Sequence, residues 1–77
     1  MTPLDSLRPG DRGTIARLGG ERGFRRRLME LGLLPGTPVR VLRNAGLGGV
    51  LEIEVRRCRL SLRRDEAAAL QLGDVSS

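Results

Sequence analysis

The hydrophobic and polar positions of this chain alternate most cleanly in its second half. Leu51, Ile53 and Val55 stand against Glu52, Glu54 and Arg56, and Cys58, Leu60 and Leu62 follow against Arg59, Ser61 and Arg63. A period of two turns one set toward a core and the other toward water, the pattern of half-buried strands. In that phase Cys58 is expected to be an inert core thiol. Earlier, two segments share a local plan. Leu7-Arg8-Pro9-Gly10-Asp11 runs into Gly13-Thr14-Ile15-Ala16-Arg17-Leu18, and Leu34-Pro35-Gly36-Thr37 runs into Pro38-Val39-Arg40-Val41-Leu42-Arg43. Pro fixes φ at the first central position of a type II turn and Gly takes the positive φ of the second, so each pair is predicted to launch a strand.

One segment has helical period at useful length. Phe24, Leu28 and Leu31 fall at i, i+4 and i+7, with Arg25, Arg26, Arg27 and Glu30 on the remaining faces and Gly32 placed as a C-terminal stop. The spacing predicts a helix of about three turns inserted between the first two strands. Thr2-Pro3-Leu4-Asp5 reads as one short helical turn with Thr2 as its cap, a lid and not an anchor. Asn44 to Gly49 supplies a hairpin connection, Arg64 to Ala69 has room for one helical turn, and Leu70-Gln71-Leu72 offers a last strand. Such a mainly β chain, with about five short strands and a helical insertion, points to a small SH3-like β-barrel.

Composition narrows what such a barrel does. At 77 residues the chain is expected to be a single domain, 1–77. A chain of this size buries only roughly 60% of its unfolded surface, so action on an exterior is expected in place of a deep enclosed cavity. One cysteine excludes an internal disulfide and suits a reducing cytoplasm. Neither a secretory signal nor an apolar run of about 20 residues is present. All fourteen basic residues are arginine and the net charge is +5. That balance fits nucleic acid, an anionic membrane face or an acidic protein partner, and charge alone does not choose among them.

The chain has no histidine, which removes the usual general base and the commonest zinc or iron ligand. No catalytic residues, metal ligands or cofactor are therefore predicted, and the chain is not expected to be an enzyme. Glu52 and Glu54 sit two apart as paired carboxylates do in hydrolases, but interleaved with apolar residues they read as an ordinary solvated strand face. Gly46-Leu47-Gly48-Gly49 lacks the Lys-Ser/Thr of a phosphate loop and sits between strands. Leu47, a large apolar residue at a glycine-flanked tip, either folds back on the barrel or waits for a partner. Arg25-Arg26-Arg27 is either a solvated helix face or a dock for an acidic or phosphate-bearing surface.

Three blocks, in order, look like a known signature: Gly23 to Leu33, Leu34 to Val41, and Leu60 to Ala67. Together they resemble the FeoA family over nearly the whole chain, from Leu7 to Leu72. The resemblance implies a cytosolic SH3-like protein that assists FeoB, the membrane ferrous-iron transporter with an N-terminal G domain. It also implies a partner-binding surface at Arg26, Arg27, Leu28 and Leu31 on the insertion and Leu47 on the hairpin. Here Gly46 and Val50 replace prolines of the family's hairpin pattern, and Gly49 an aspartate. Iron is then the transporter's cargo, and this chain is expected to bind none itself. An arginine acting in trans on GTP hydrolysis is a sharper form of the same reading.

Two other readings compete. A basic barrel that binds RNA or DNA is disfavoured because Phe24 is the only aromatic, leaving no stacking platform. A free-standing relative of the C-terminal domain of an iron-dependent repressor is disfavoured by the lack of DNA-binding helices and by the initiator Met1. The membrane is expected to be reached only through the partner, and short barrel edges allow a homo-oligomer.

Overall fold

The computed structural model describes residues 1–45 and 49–77. Both Pro-Gly pairs form the turns their sequence requires. Asp11 N–H donates to Arg8 O at 2.9 Å and Thr37 N–H to Leu34 O at 3.0 Å, with Gly10 at φ 94° and Gly36 at φ 91°. From these turns leave β2 (Arg12–Leu18) and β3 (Pro38–Asn44). The two strands pair antiparallel, Arg12 opposite Arg40 and Thr14 opposite Pro38. Each turn also clasps the other's strand, Gly10 N–H donating to Val41 O at 2.8 Å and Gly36 N–H to Ile15 O at 2.7 Å. Register is thus held by the turns as well as by the hydrophobic pattern.

The remaining strands are β1 (Thr2–Pro3), β4 (Val50–Val55), β5 (Cys58–Arg63) and β6 (Leu70–Ser76). They form one six-stranded antiparallel sheet in the order β1-β6-β2-β3-β4-β5. The sheet is SH3-like but is not closed, so the expected barrel lacks its last seam. The chain passes from β5 to β6 through α2 (Arg64–Ala68), which packs on a 3-10 turn at Leu4–Ser6. Ala67 and Leu4 are both fully buried there, so helix and turn fill the gap that strand pairing would otherwise close. Register shifts between Arg12 and Thr14, Ile15 and Arg17, and Val41 and Arg43 bend the sheet around its core.

That N-terminal segment departs from its prediction in two ways. Thr2 and Pro3 are extended and pair with β6, because a residue preceding proline avoids helical backbone, and the turn starts one step later with Pro3 as its cap. Its Leu4 is fully buried, so the segment anchors the core where a lid was expected. Asn44 holds it from β3, Nδ2 donating to Leu7 O at 2.9 Å and to Asp5 O at 3.2 Å.

The helix α1 spans Arg22–Glu30, between β2 and β3. It is shorter than its apolar spacing suggests because Leu31 is already the C-cap. Gly32, at φ 93°, closes it with a Schellman pair: Gly32 N–H donates to Met29 O at 2.9 Å and Leu33 N–H to Leu28 O at 3.0 Å. Leu28 and Leu33 are both fully buried beneath that closure, with Phe24 half-buried beside the core.

Cys58 corrects a further expectation. It is exposed, although it lies opposite the buried Val55. Its phase is that of the core, but β5 is the last strand of the open sheet, and of its residues only Leu62 is buried.

Candidate protein-docking site

The inserted helix meets β2 along a cleft of about 530 Å³. Ala16 and Leu18 from β2, Met29 from α1 and Pro35 from the second Pro-Gly turn give it apolar lining, and Arg17, Arg22, Arg25 and Arg26 give it charge. No carboxylate is among the described residues that line it. Arg22, Arg25, Arg26 and Met29 fall at i, i+3, i+4 and i+7, so one helix face carries all four. Met29 is 42% exposed, and Leu31 and Leu34, on either side of the buried Leu33, are 44% and 39% exposed. Exposed apolar side chains rimmed by charge make this the candidate surface for a partner.

The residues expected to make contact are distributed unequally. Arg26 lines the cleft and lies 3.7 Å from Glu30 one turn on, a pair of exposed side chains worth about 0–1 kcal/mol at most. Leu31 is at the surface. Arg27 leaves the cleft for Glu66, its Nη2 lying 3.6 Å from Oε2. The Glu66 side chain is only 9% exposed, and its Oε1 accepts the Arg63 N–H at 2.8 Å. Arg27 thus ties α1 to the start of α2. Leu28 is a correction: at 0% exposure it belongs to the core, since it is the position of α1 that faces inward and the helix is too short to bury another in full. Leu47 lies outside the described residues.

Sequence reasoning missed Met29, Arg22 and the β2 side of the cleft. The helical spacing of Arg22, Arg25, Arg26 and Met29 carried a signal for the first two. Nothing local marked Ala16 or Pro35, which join the cleft only through the tertiary fold.

Among the described residues no group of three or more His, Cys, Asp or Glu side chains is placed to hold a metal ion, and no helix is long and apolar enough to cross a membrane. The architecture is that of a small SH3-like domain, with the arginine-rimmed apolar cleft beside its inserted helix as the candidate binding surface.

The chain belongs to the FeoA family: residues 2–72 match the FeoA domain. This is a family of small accessory SH3-like domains and not of enzymes. The chain is 32% identical over 74 residues to an Fe(2+) transport protein A/Fe(2+) transporter FeoB fusion protein of Porphyromonas gingivalis, covering 96% of this chain but 9% of that protein. The solution structure of FeoA from Chlorobium tepidum is similar at 38% identity and a TM-score of 0.82, over 92% of this chain and 68% of that one. A zinc-complexed FeoA of Stenotrophomonas maltophilia, described as a prokaryotic SH3 domain protein, superposes with a TM-score of 0.85 over 99% and 96% of the two chains. At 23% identity that likeness shows the fold alone. The fusion links the family to ferrous iron transport.

Proposed function

We propose that this chain is a cytoplasmic accessory protein of ferrous iron uptake that docks its α1–β2 cleft on the N-terminal G domain of a FeoB-type transporter. The observation that carries the reading is the fusion of a similar FeoA segment to FeoB in one polypeptide. Such a tether puts the two at high effective concentration, which is useful only when they work in contact. The cleft supports the reading by its chemistry. Met29 offers an adaptable apolar contact, and the four arginines around it, of which only Arg26 has an ion-pair partner among the described residues, suit an acidic surface. Ferrous iron is the transporter's cargo in this reading and is not held by the chain, so tight stoichiometric ferrous binding by the isolated protein would count against it.

The test is calorimetric titration of the purified chain with the G domain of its cognate transporter. Met29→Glu combined with Arg26→Glu is expected to weaken binding about 30-fold or more, the loss of one hot-spot contact, without moving the unfolding midpoint. Unchanged affinity in that variant would refute the docking face while leaving family membership intact.

A further inference from the structure

A second concave surface lies where β4 turns into β5. It has a volume of about 450 Å³ and shares no lining residue with the α1–β2 cleft. Its charged lining is Arg12 from β2, Arg40 from β3, Glu54 from β4, Arg56 and Arg57 from the turn, and Asp74 from β6.

Two features of this cleft oppose stability. Arg12 and Arg40 are direct partners across the β2–β3 ladder, where like charges repel. None of its four arginines makes an ion pair with a described residue. Arg56 and Arg57 form the two-residue turn that joins Val55 to Cys58, with φ of 51° and 67°. A turn with both central residues left-handed favours Asn-Gly, and a residue with a Cβ is strained there. Asp74 is left-handed as well, at φ 52°. These three are all the positive-φ residues other than glycine among the described residues, and all three line this cleft. Backbone strain gathered at one concave, charged spot is characteristic of a functional site.

We propose that this cleft binds the phosphoryl group of a small hydroxylated ligand. Guanidinium forks match a tetrahedral oxyanion with paired hydrogen bonds. Four arginines against two carboxylates leave an excess of positive charge for an anion to neutralise. The volume lies within the range of small-molecule sites, about 300–1,000 Å³. Glu54 and Asp74 would repel phosphate oxygens but accept hydrogen bonds from hydroxyl groups, which favours a phosphate ester over a bare polyphosphate. The same carboxylates disfavour an acidic peptide. Phe24, the only aromatic in the chain, is not in the lining, so the ligand is recognised without base stacking.

The test is an amide-resolved NMR titration of the full chain with glycerol phosphate, inorganic phosphate and an oligoglutamate peptide at matched ionic strength. Saturable shifts confined to the neighbourhood of Arg12, Arg40, Arg56, Arg57 and Asp74, stronger for the ester than for inorganic phosphate, are expected. The double change Arg56→Asn and Arg57→Gly relieves the strained turn, so it is expected to raise the thermal midpoint while weakening ester binding at least about fivefold. Shifts spread without saturation over all arginines would overturn the proposal. So would saturation of the same amides by the peptide alone, or an Asn-Gly variant that binds the ester as tightly as its parent.

Discussion

Replacing Leu28 by alanine removes the branched end of the one side chain of α1 that is fully buried. Leucine-to-alanine changes at such sites cost about 2–5 kcal/mol, the larger values where the surroundings cannot collapse into the space. Leu28 lies under the Schellman closure that also places the fully buried Leu33, so collapse is limited and about 3 kcal/mol is expected. Against roughly 4–12 kcal/mol for a chain of 77 residues, this is a large share of the total. It corresponds to a fall in Tm of about 12–24 °C. Leu31→Gln is the matched control. At 44% exposure its loss should stay within about 0.5 kcal/mol. Urea unfolding followed by circular dichroism, with the slope of the transition unchanged, measures both. A cost under about 1 kcal/mol for Leu28→Ala, or an equal cost for the two variants, would show that α1 presents a different face to the sheet. The comparison matters for function, because loss of partner binding in a Leu28 variant would report unfolding and not a lost contact.

Two further measurements probe other parts of the fold. Asn44→Ala removes two hydrogen bonds to backbone carbonyls of the N-terminal segment and is expected to destabilise by about 1–3 kcal/mol in the same urea assay, since the carbonyls are left without that donor. Cys58, being exposed, is expected to react completely with a disulfide reagent in native buffer, at a rate that denaturant does not raise. Labelling that waits for unfolding would restore it to the core.

Most of the strand plan was legible because it rests on local rules. Pro9-Gly10 and Pro35-Gly36 admit few backbones, and the alternation of Leu51, Ile53 and Val55 predicts the inward face that the structure shows. Gly32 stops α1 for a reason visible in the chain. The misses share a different cause. The β4–β5 turn falls on Arg56-Arg57, residues with no turn preference, so its only trace was a slip of phase between Val55 and Cys58. That slip reveals a turn without revealing that the strand after it lies at the edge of the sheet, hence the error at Cys58. That the sheet stays open is likewise a tertiary matter, since Leu4 and Ala67, buried where α2 packs on the 3-10 turn, are far apart in sequence. At the candidate docking site, Leu28 and Leu31 both looked apolar and helical. Only the position of the C-cap separates the buried one from the exposed one.

Glu66 answers to one near group and one distant one, the amide that opens its own helix and the guanidinium of Arg27. A visitor that claimed Arg27 would leave that carboxylate with the amide alone and little water beside it, and that forfeit would subtract from the visitor's own grip. One flank of the inserted helix is therefore moored and the other is at liberty. Changes of specificity should accumulate along the Arg22–Met29 flank, while the Arg27 flank stays as a fixed mooring, like a page bound at its spine and turned from its outer edge.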